Sequence, residues 1–309
     1  MHRLVRIKHI LQPQLEKHPL SECNSKMAPK VVLITGCSTG IGLATAVYLA
    51  KEKQQGFKVY ATLRNLVSSA KLEIAAGDTL DKTLFIRKLD VTKEDTISSV
   101  VDEILRENGR IDVLVNNAGY SGIDGNDRNP LPWCMAMMDT NYWGVVRTTR
   151  AVLPAMKKQK SGRILNVTSV SGIIGTPFYA TYTSSKFAVE GFSEAIAPVL
   201  RDGYNIRVSI IEPGPVKTNL MDVVMGDPEG DAKDFDDITR QLFLGQVKQM
   251  QPIVDVVVQI PKDIAKLLQE VILSEDPHLR YQTSEAMTKM VAGKLADPTT
   301  DALLNVLKQ

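Results

Sequence analysis

From Val31 onward the chain repeats one unit: a short, almost wholly apolar run, a glycine or polar turn, then a stretch whose apolar residues recur at the helical period of roughly 3.6. Strands that alternate with helices in this way build a parallel sheet covered by helices. The runs VVLIT, IDVLV and IRVSII have the near-continuous Val, Ile and Leu of strands buried on both faces. Strands are predicted over Val31–Thr35, Lys58–Thr62, Thr83–Leu89, Asp112–Val115, Arg163–Thr168 and Arg207–Ile211, with helices beginning near Ile41, Leu66, Lys93, Trp133 and Tyr182. Right-handed crossovers then give an α/β class, a doubly wound Rossmann-type parallel sheet of about seven strands with helices on both faces, in a single domain. Asp263 to Leu273 reads as a further amphipathic helix, and the end from Pro277 as a closing strand and a tail over residues 286–309.

A chain of 309 residues with 44% hydrophobic content holds a sizeable core without covalent staples. Its 37 Lys+Arg nearly cancel its 35 Asp+Glu, and no basic cluster interleaves with aromatics, which argues against nucleic acid as a partner. No apolar stretch approaches the roughly 18 residues of a membrane span. Cys23, Cys37 and Cys134 are scattered and lack CxxC spacing, which speaks against a disulfide framework or a zinc site and for a reducing, cytoplasmic location. His2, His9, His18 and His278 form no metal constellation, so no metal is expected. Residues 1–29 differ in texture and read as an extension. Arg3, Arg6 and Lys8 interleave with Leu4, Val5, Ile7 and Ile10, as in a basic helix for membrane contact or import, but Glu16 and Glu22 spoil the import pattern and favour a disordered segment.

The first strand runs directly into Thr35-Gly36-Cys37-Ser38-Thr39-Gly40-Ile41-Gly42, which opens a helix. In that context Gly36 permits a tight turn, Gly40 lets the backbone approach a pyrophosphate, and Gly42 allows close helix packing, while the helix N-terminus offers free N–H groups to the anion. Gly36 to Gly42 are therefore candidate cofactor contacts. The second strand ends in Leu63-Arg64, where an acidic residue would bond the ribose hydroxyls of NAD. A guanidinium there suits the 2′-phosphate of NADP.

Tyr182 and Lys186 are four residues apart and project from one helix face. An ammonium beside a phenol favours its phenolate, so Tyr182 can exchange a proton with an alcohol or carbonyl oxygen. Ser169, just after the fifth strand, can hold the same oxygen. Tyr179 and Ser171 are nearby decoys, since Tyr179 has Thr183 where a lysine would be needed.

With TGCSTGIG, Asn116-Asn117-Ala118-Gly119, Tyr182-Thr183-Ser184-Ser185-Lys186 and Pro213-Gly214 in order at strand ends, the chain resembles the short-chain dehydrogenase/reductase family over about residues 30 to 285. The resemblance implies a catalytic tetrad of Asn141, Ser169, Tyr182 and Lys186, with Asn141 holding a relay water. It implies cofactor contacts at Asp90 and Val91, at Asn117, Ala118 and Gly119, at Tyr182 and Lys186, and at Pro213, Gly214, Val216 and Thr218. It also implies a homodimer. LITGCSTGIGLATAV, KVYATLRN and PHLRYQTSE are similar to the branch of estradiol and photoreceptor retinol dehydrogenases. That branch implies an NADP(H)-dependent oxidoreductase interconverting hydroxyl and carbonyl on a lipophilic steroid or retinoid. Other ketone substrates and a non-catalytic dinucleotide sensor stand as alternatives, and the intact tetrad speaks against the sensor.

Residues 215–260 are expected to hold a substrate lid, whose mobile part spans Met221 to Phe243. It begins apolar with Leu220, Met221, Val223, Val224 and Met225 and turns acidic through Asp227, Glu229, Asp231, Asp234, Asp236 and Asp237. The apolar part, Met221 foremost, suits a lipophilic ligand. Glu285 matches an acidic substrate contact of the steroid enzyme by resemblance, along with Ser169 and Tyr182 at the reacting end.

Overall fold

The computed structural model describes residues 28–54, 56–125, 129–221 and 226–304. The expected N-terminal extension lies outside these residues up to Met27, as do Val223, Val224 and Met225 of the cover.

Seven strands form one sheet, all neighbours parallel: β1 (Lys30–Ile34), β2 (Phe57–Leu63), β3 (Leu84–Lys88), β4 (Val113–Asn116), β5 (Gly162–Val167), β6 (Ile206–Glu212) and β7 (Arg280–Gln282). Their order is β3-β2-β1-β4-β5-β6-β7, so the direction of winding reverses between β1 and β4. Ligands in open α/β sheets bind beyond the carboxyl ends of strands at such a reversal. The central strands are apolar on both faces because each face is covered. Val32, Ile34, Val59 and Val113 face a core built with α1 (Gly40–Ala50) and the helix Pro261–Leu273. Leu33, Leu114 and Ile164 face a second core with α3 (Glu94–Asn108) and α5 (Gly144–Gln159).

Where local chemistry and prediction diverge, the reason is visible. The segment near Leu66 begins as a single 3-10 turn because Asn65 caps Val67, and the α-helix α2 (Ala70–Ala76) follows only after it. The helix expected near Trp133 begins at Leu131 as α4 (Leu131–Met138) and continues into α5 through a π-helical turn, Asp139–Trp143. Residues 286–304 are not a loose tail. They carry the helices Glu285–Ala296 and Asp301–Leu304, and Met287 and Val291 are buried, the latter against Ile173 and Ile174. Among the described residues no helix is long and apolar enough to cross a membrane.

Candidate active site

The carboxyl ends of β1, β4, β5 and β6 converge on one rim, and each delivers a turn to it. After β1, Gly36 has φ of +73° and its missing side chain is required twice over, since a Cβ there would lie 2.7 Å from Ala118 Cα. A Cβ on Gly42 would come within 2.3 Å of the Gly36 carbonyl oxygen and 2.4 Å of Asn117 Nδ2. Asn117 in turn donates to the carbonyls of Thr35 and Gly36, both at 3.0 Å, which latches the β1 and β4 turns together. Thr39 starts α1 with no side-chain cap, and no acidic residue stands in the first turn. The helix thus presents uncapped N–H groups, the arrangement that receives a phosphate. Thr218 packs over Gly40, with its Cγ2 3.1 Å from where a Cβ would stand.

Other expected cofactor positions fall around this cradle with distinct tasks. Ser38, Thr39, Gly40 and Ile41 remain partly accessible, whereas Cys37 is buried. Its thiol is fully buried in the core and its N–H donates to the Thr62 carbonyl, so side chain and N–H both serve the scaffold. Burial pushes that thiol up to about 12, against a lesser opposing effect from Thr62. Arg64 is exposed at the end of β2 and makes no ion pair among the described residues. Asp90 accepts from the N–H and hydroxyl of Thr92, and Val91 packs where a Cβ on Gly144 would clash at 2.7 Å. Gly214 lies under Met287, and Val216 bridges to Gln259, which ties down the start of the segment expected to form a cover.

Asn141 comes from the π-helical turn, Ser169 from the turn after β5, and Tyr182 and Lys186 from one helix, with Asn141 and Lys186 approaching each other beside Gly119. A Cβ on Gly119 would lie 3.1 Å from Asn141 Oδ1 and 3.5 Å from Lys186 Nζ. Asn141 occupies the π-helical turn, a local irregularity common at functional sites. Its amide donates to the Tyr120 carbonyl at 2.8 Å and to Ser185 Oγ at 3.0 Å, and accepts from the Tyr120 N–H at 3.0 Å. That side chain braces the turn after β4 against α6 (Ala180–Tyr204), so a relay water would fall to its remaining oxygen lone pair or its backbone carbonyl. Lys186 Nζ donates to the Val167 carbonyl at 3.2 Å and stands 5.6 Å from the Tyr182 ring centre. Burial lowers the ammonium to about 8, partly opposed by the Glu190 carboxylate.

Tyr182 differs from the expectation in one respect. Burial raises its phenol, and the opposing influence comes from a hydrogen bond with Ser169 rather than from Lys186. Burial thus favours the protonated phenol. Ser169 Oγ also receives the Ser171 N–H at 3.1 Å, while Ser171 Oγ is paired with Thr176 at 2.9 Å and takes no part. Tyr179 is a wall residue: it packs on the cluster of Phe178, Ala232 and Phe243, which joins the turn before α6 to the apolar side of the cover. Met221 lies at the edge of that cover, its N–H bonded to the Thr218 carbonyl.

Glu285, expected as a substrate contact, lies on the exposed side of its helix. Its side chain is 82% exposed and pairs with Lys289 at 2.7 Å. Ser284 caps the helix and Met287 is its buried face, which turns Glu285, two residues earlier, outward. Sequence reasoning also missed Ser185, Glu190 and Arg280. The first two lie in the helix of the YxxxK motif, where a buried polar residue at helical spacing was the available signal.

A cradle for a dinucleotide and a phenol–lysine pair at the switch point of a parallel sheet define an oxidoreductase class of fold and site. The model of the family described as short chain dehydrogenase matches residues 30–228, and the chain belongs to that family. It is 39% identical over 277 residues to retinol dehydrogenase 8 of Bos taurus, covering 88% of this chain and 87% of the relative. It is 37% identical over 275 residues to 17-beta-hydroxysteroid dehydrogenase type 1 of Homo sapiens, covering 88% and 83%. Among solved structures, ElxO with NADP bound superposes with a TM-score of 0.69 at 25% identity, covering 85% of this chain and all of that one.

Proposed function

We propose that the chain is an NADP(H)-dependent oxidoreductase that interconverts a hydroxyl and a carbonyl on a lipophilic substrate, a 17-beta-hydroxysteroid or retinol and the corresponding ketone or aldehyde. The observation that carries this reading is the grouping of Tyr182 with Ser169 and Lys186, the Lys186 ammonium lying beside Gly119 in the turn that packs against the glycine loop. The cradle fits a dinucleotide: Gly36, Gly40 and Gly42 clear the approach, α1 offers its N–H groups, and Arg64 suits a 2′-phosphate. Once bound, the dinucleotide supplies or accepts the hydride at the substrate carbon.

The protein's residues handle the oxygen and its proton. In reduction, Ser169 Oγ and Tyr182 Oη donate to the carbonyl oxygen, and Tyr182 gives up its proton as negative charge develops there. Lys186, charged below about pH 8, stabilises the phenolate left behind and can return a proton through water held at Asn141. Oxidation of the alcohol runs the same transfers backwards. The relatives named for retinol and for a 17-beta-hydroxysteroid support an apolar substrate, as does the aromatic cluster in which Phe235 and Phe243 of the cover pack on Phe178.

The test is oxidation of NADPH, with NADH in parallel, by purified protein against estrone, other ketosteroids, all-trans-retinal and short aliphatic carbonyls. Selective turnover of a steroid or retinoid with NADPH is expected. Tight NADPH binding without turnover of any carbonyl would replace this reading with a dinucleotide sensor.

A further inference from the structure

The stretch PHLRYQTSE contributes nothing to the tetrad, yet its Arg280 reaches three carboxylates. Nη1 lies 2.5 Å from Glu190 and 2.7 Å from Glu212, and Nη2 lies 2.7 Å from Glu194. Glu190 and Glu212 are buried. Glu190 uses its second oxygen to accept from Thr168 Oγ1 at 2.6 Å, and its side chain backs onto Gly172, where a Cβ would come within 2.9 Å. Thr168 immediately precedes Ser169, and Gly172 closes the same turn. Glu190 therefore sits beneath the turn that carries the catalytic hydroxyl.

The same residue stands four after Lys186, as Lys186 stands four after Tyr182, so all three share one face of α6. Lys186 is anchored on the Val167 carbonyl and Glu190 on Thr168, successive residues at the end of β5. Around Glu190 stand Thr168 from the turn after β5, Arg280 from β7 with Glu212 from β6 and Glu194 from α6 on the same guanidinium, and, one turn earlier on α6, Lys186, whose ammonium the Glu190 charge favours. A buried carboxylate persists only with such partners, and its charge acts strongly on a neighbouring ammonium because little water screens it.

We propose that Glu190, clamped by Arg280, is a positioning residue of the reaction: its carboxylate sustains the charge of Lys186 and seats the turn bearing Ser169. The proposal rests on the reading of Tyr182 and Lys186 as the reacting pair. Burial and Glu212 raise the Glu190 carboxyl to about 7, against the hydrogen bond from Thr168 and the charge of Arg280.

The experiment follows Lys186 in protein labelled with 13Cε/15Nζ-lysine, assigned by Lys186→Arg, with no substrate present. In the wild type, the Lys186 signal should titrate in two steps, one from Glu190 and one of its own. In Glu190→Gln the proton affinity of Lys186 should fall about 3- to 10-fold, and the alkaline limb of kcat should move to lower pH by the same interval. Glu190→Asp, which keeps the charge, should restore the Lys186 midpoint. A single-step wild-type titration, or a Glu190→Gln protein that loses activity with the Lys186 midpoint unmoved, would overturn the proposal. If Glu190→Gln does not fold, the wild-type titration alone decides. Failure of every carbonyl to turn over would count against the proposed activity, while the lysine titration would still be read on the protein by itself.

Discussion

Lys186 Nζ stands 5.6 Å from the centre of the Tyr182 ring and donates not to the phenol but to the Val167 carbonyl at 3.2 Å. The lysine is anchored on the sheet, while the group that counters the effect of burial on the phenol is Ser169. Both groups stand on one face of α6, and Lys186 has an anchor of its own on β5.

Tyr182→Phe should accordingly lower turnover at least about 100-fold, the usual scale for a lost general acid, while leaving the dinucleotide cradle intact. Steady-state NADPH oxidation and dinucleotide binding by fluorescence would separate the two effects. Turnover within a few-fold of wild type would remove Tyr182 from its role.

Arg64→Asp puts a carboxylate where a 2′-phosphate would bind and should weaken NADPH roughly 10- to 100-fold while sparing or improving NADH. The ratio of kcat/KM for the two cofactors is the readout. Arg64 is exposed and has no ion pair among the described residues to lose, so folding should be unaffected. An unchanged ratio would show that the phosphate is recognised elsewhere or not at all.

The glycine loop and the Tyr182–Lys186 pair are legible in the sequence because each is local: turn geometry fixes one and a helical turn the other. The near-continuous apolar runs likewise announce strands buried on both faces, and six strand boundaries fall within a residue or two of expectation. What is not legible depends on long-range pairing. Arg280 meets Glu190 across 90 residues, through strand order alone, and Asn141 finds Ser185 only because a π-helical turn rotates it inward. Nor does the motif around Glu285 say which face of its helix is buried, and Glu285 lies on the exposed one.

The buried pair on α6 also gives stability a pH signature. Glu190 is raised from 4.5 to about 7, so between those values the folded chain holds a proton that the unfolded chain has lost, and its contribution to stability falls as pH rises. Lys186 is lowered from 10.5 to about 8, so between these the unfolded chain holds the extra proton and stability recovers. Urea unfolding at about pH 5 and about pH 7.5 should show the wild type losing stability relative to Glu190→Gln as pH rises. A difference that does not change between the two would mean that the carboxyl is not raised in the folded protein.

The C-terminal helix supplies the last expectation. Met287 is 3% exposed and presses on Gly214, where a Cβ would come within 2.5 Å of its sulfur, in the turn after β6 that leads into the cover. Met287→Ala opens a cavity on that turn and should cost about 2–5 kcal/mol of stability. Because the turn runs on through Val216 to Thr218, which packs over Gly40, dinucleotide affinity should weaken along with stability. Urea unfolding with and without saturating NADPH measures both. Lost stability at unchanged affinity would make the helix a support for the sheet edge alone, whereas coupled losses would make it part of the scaffold that shapes the cradle.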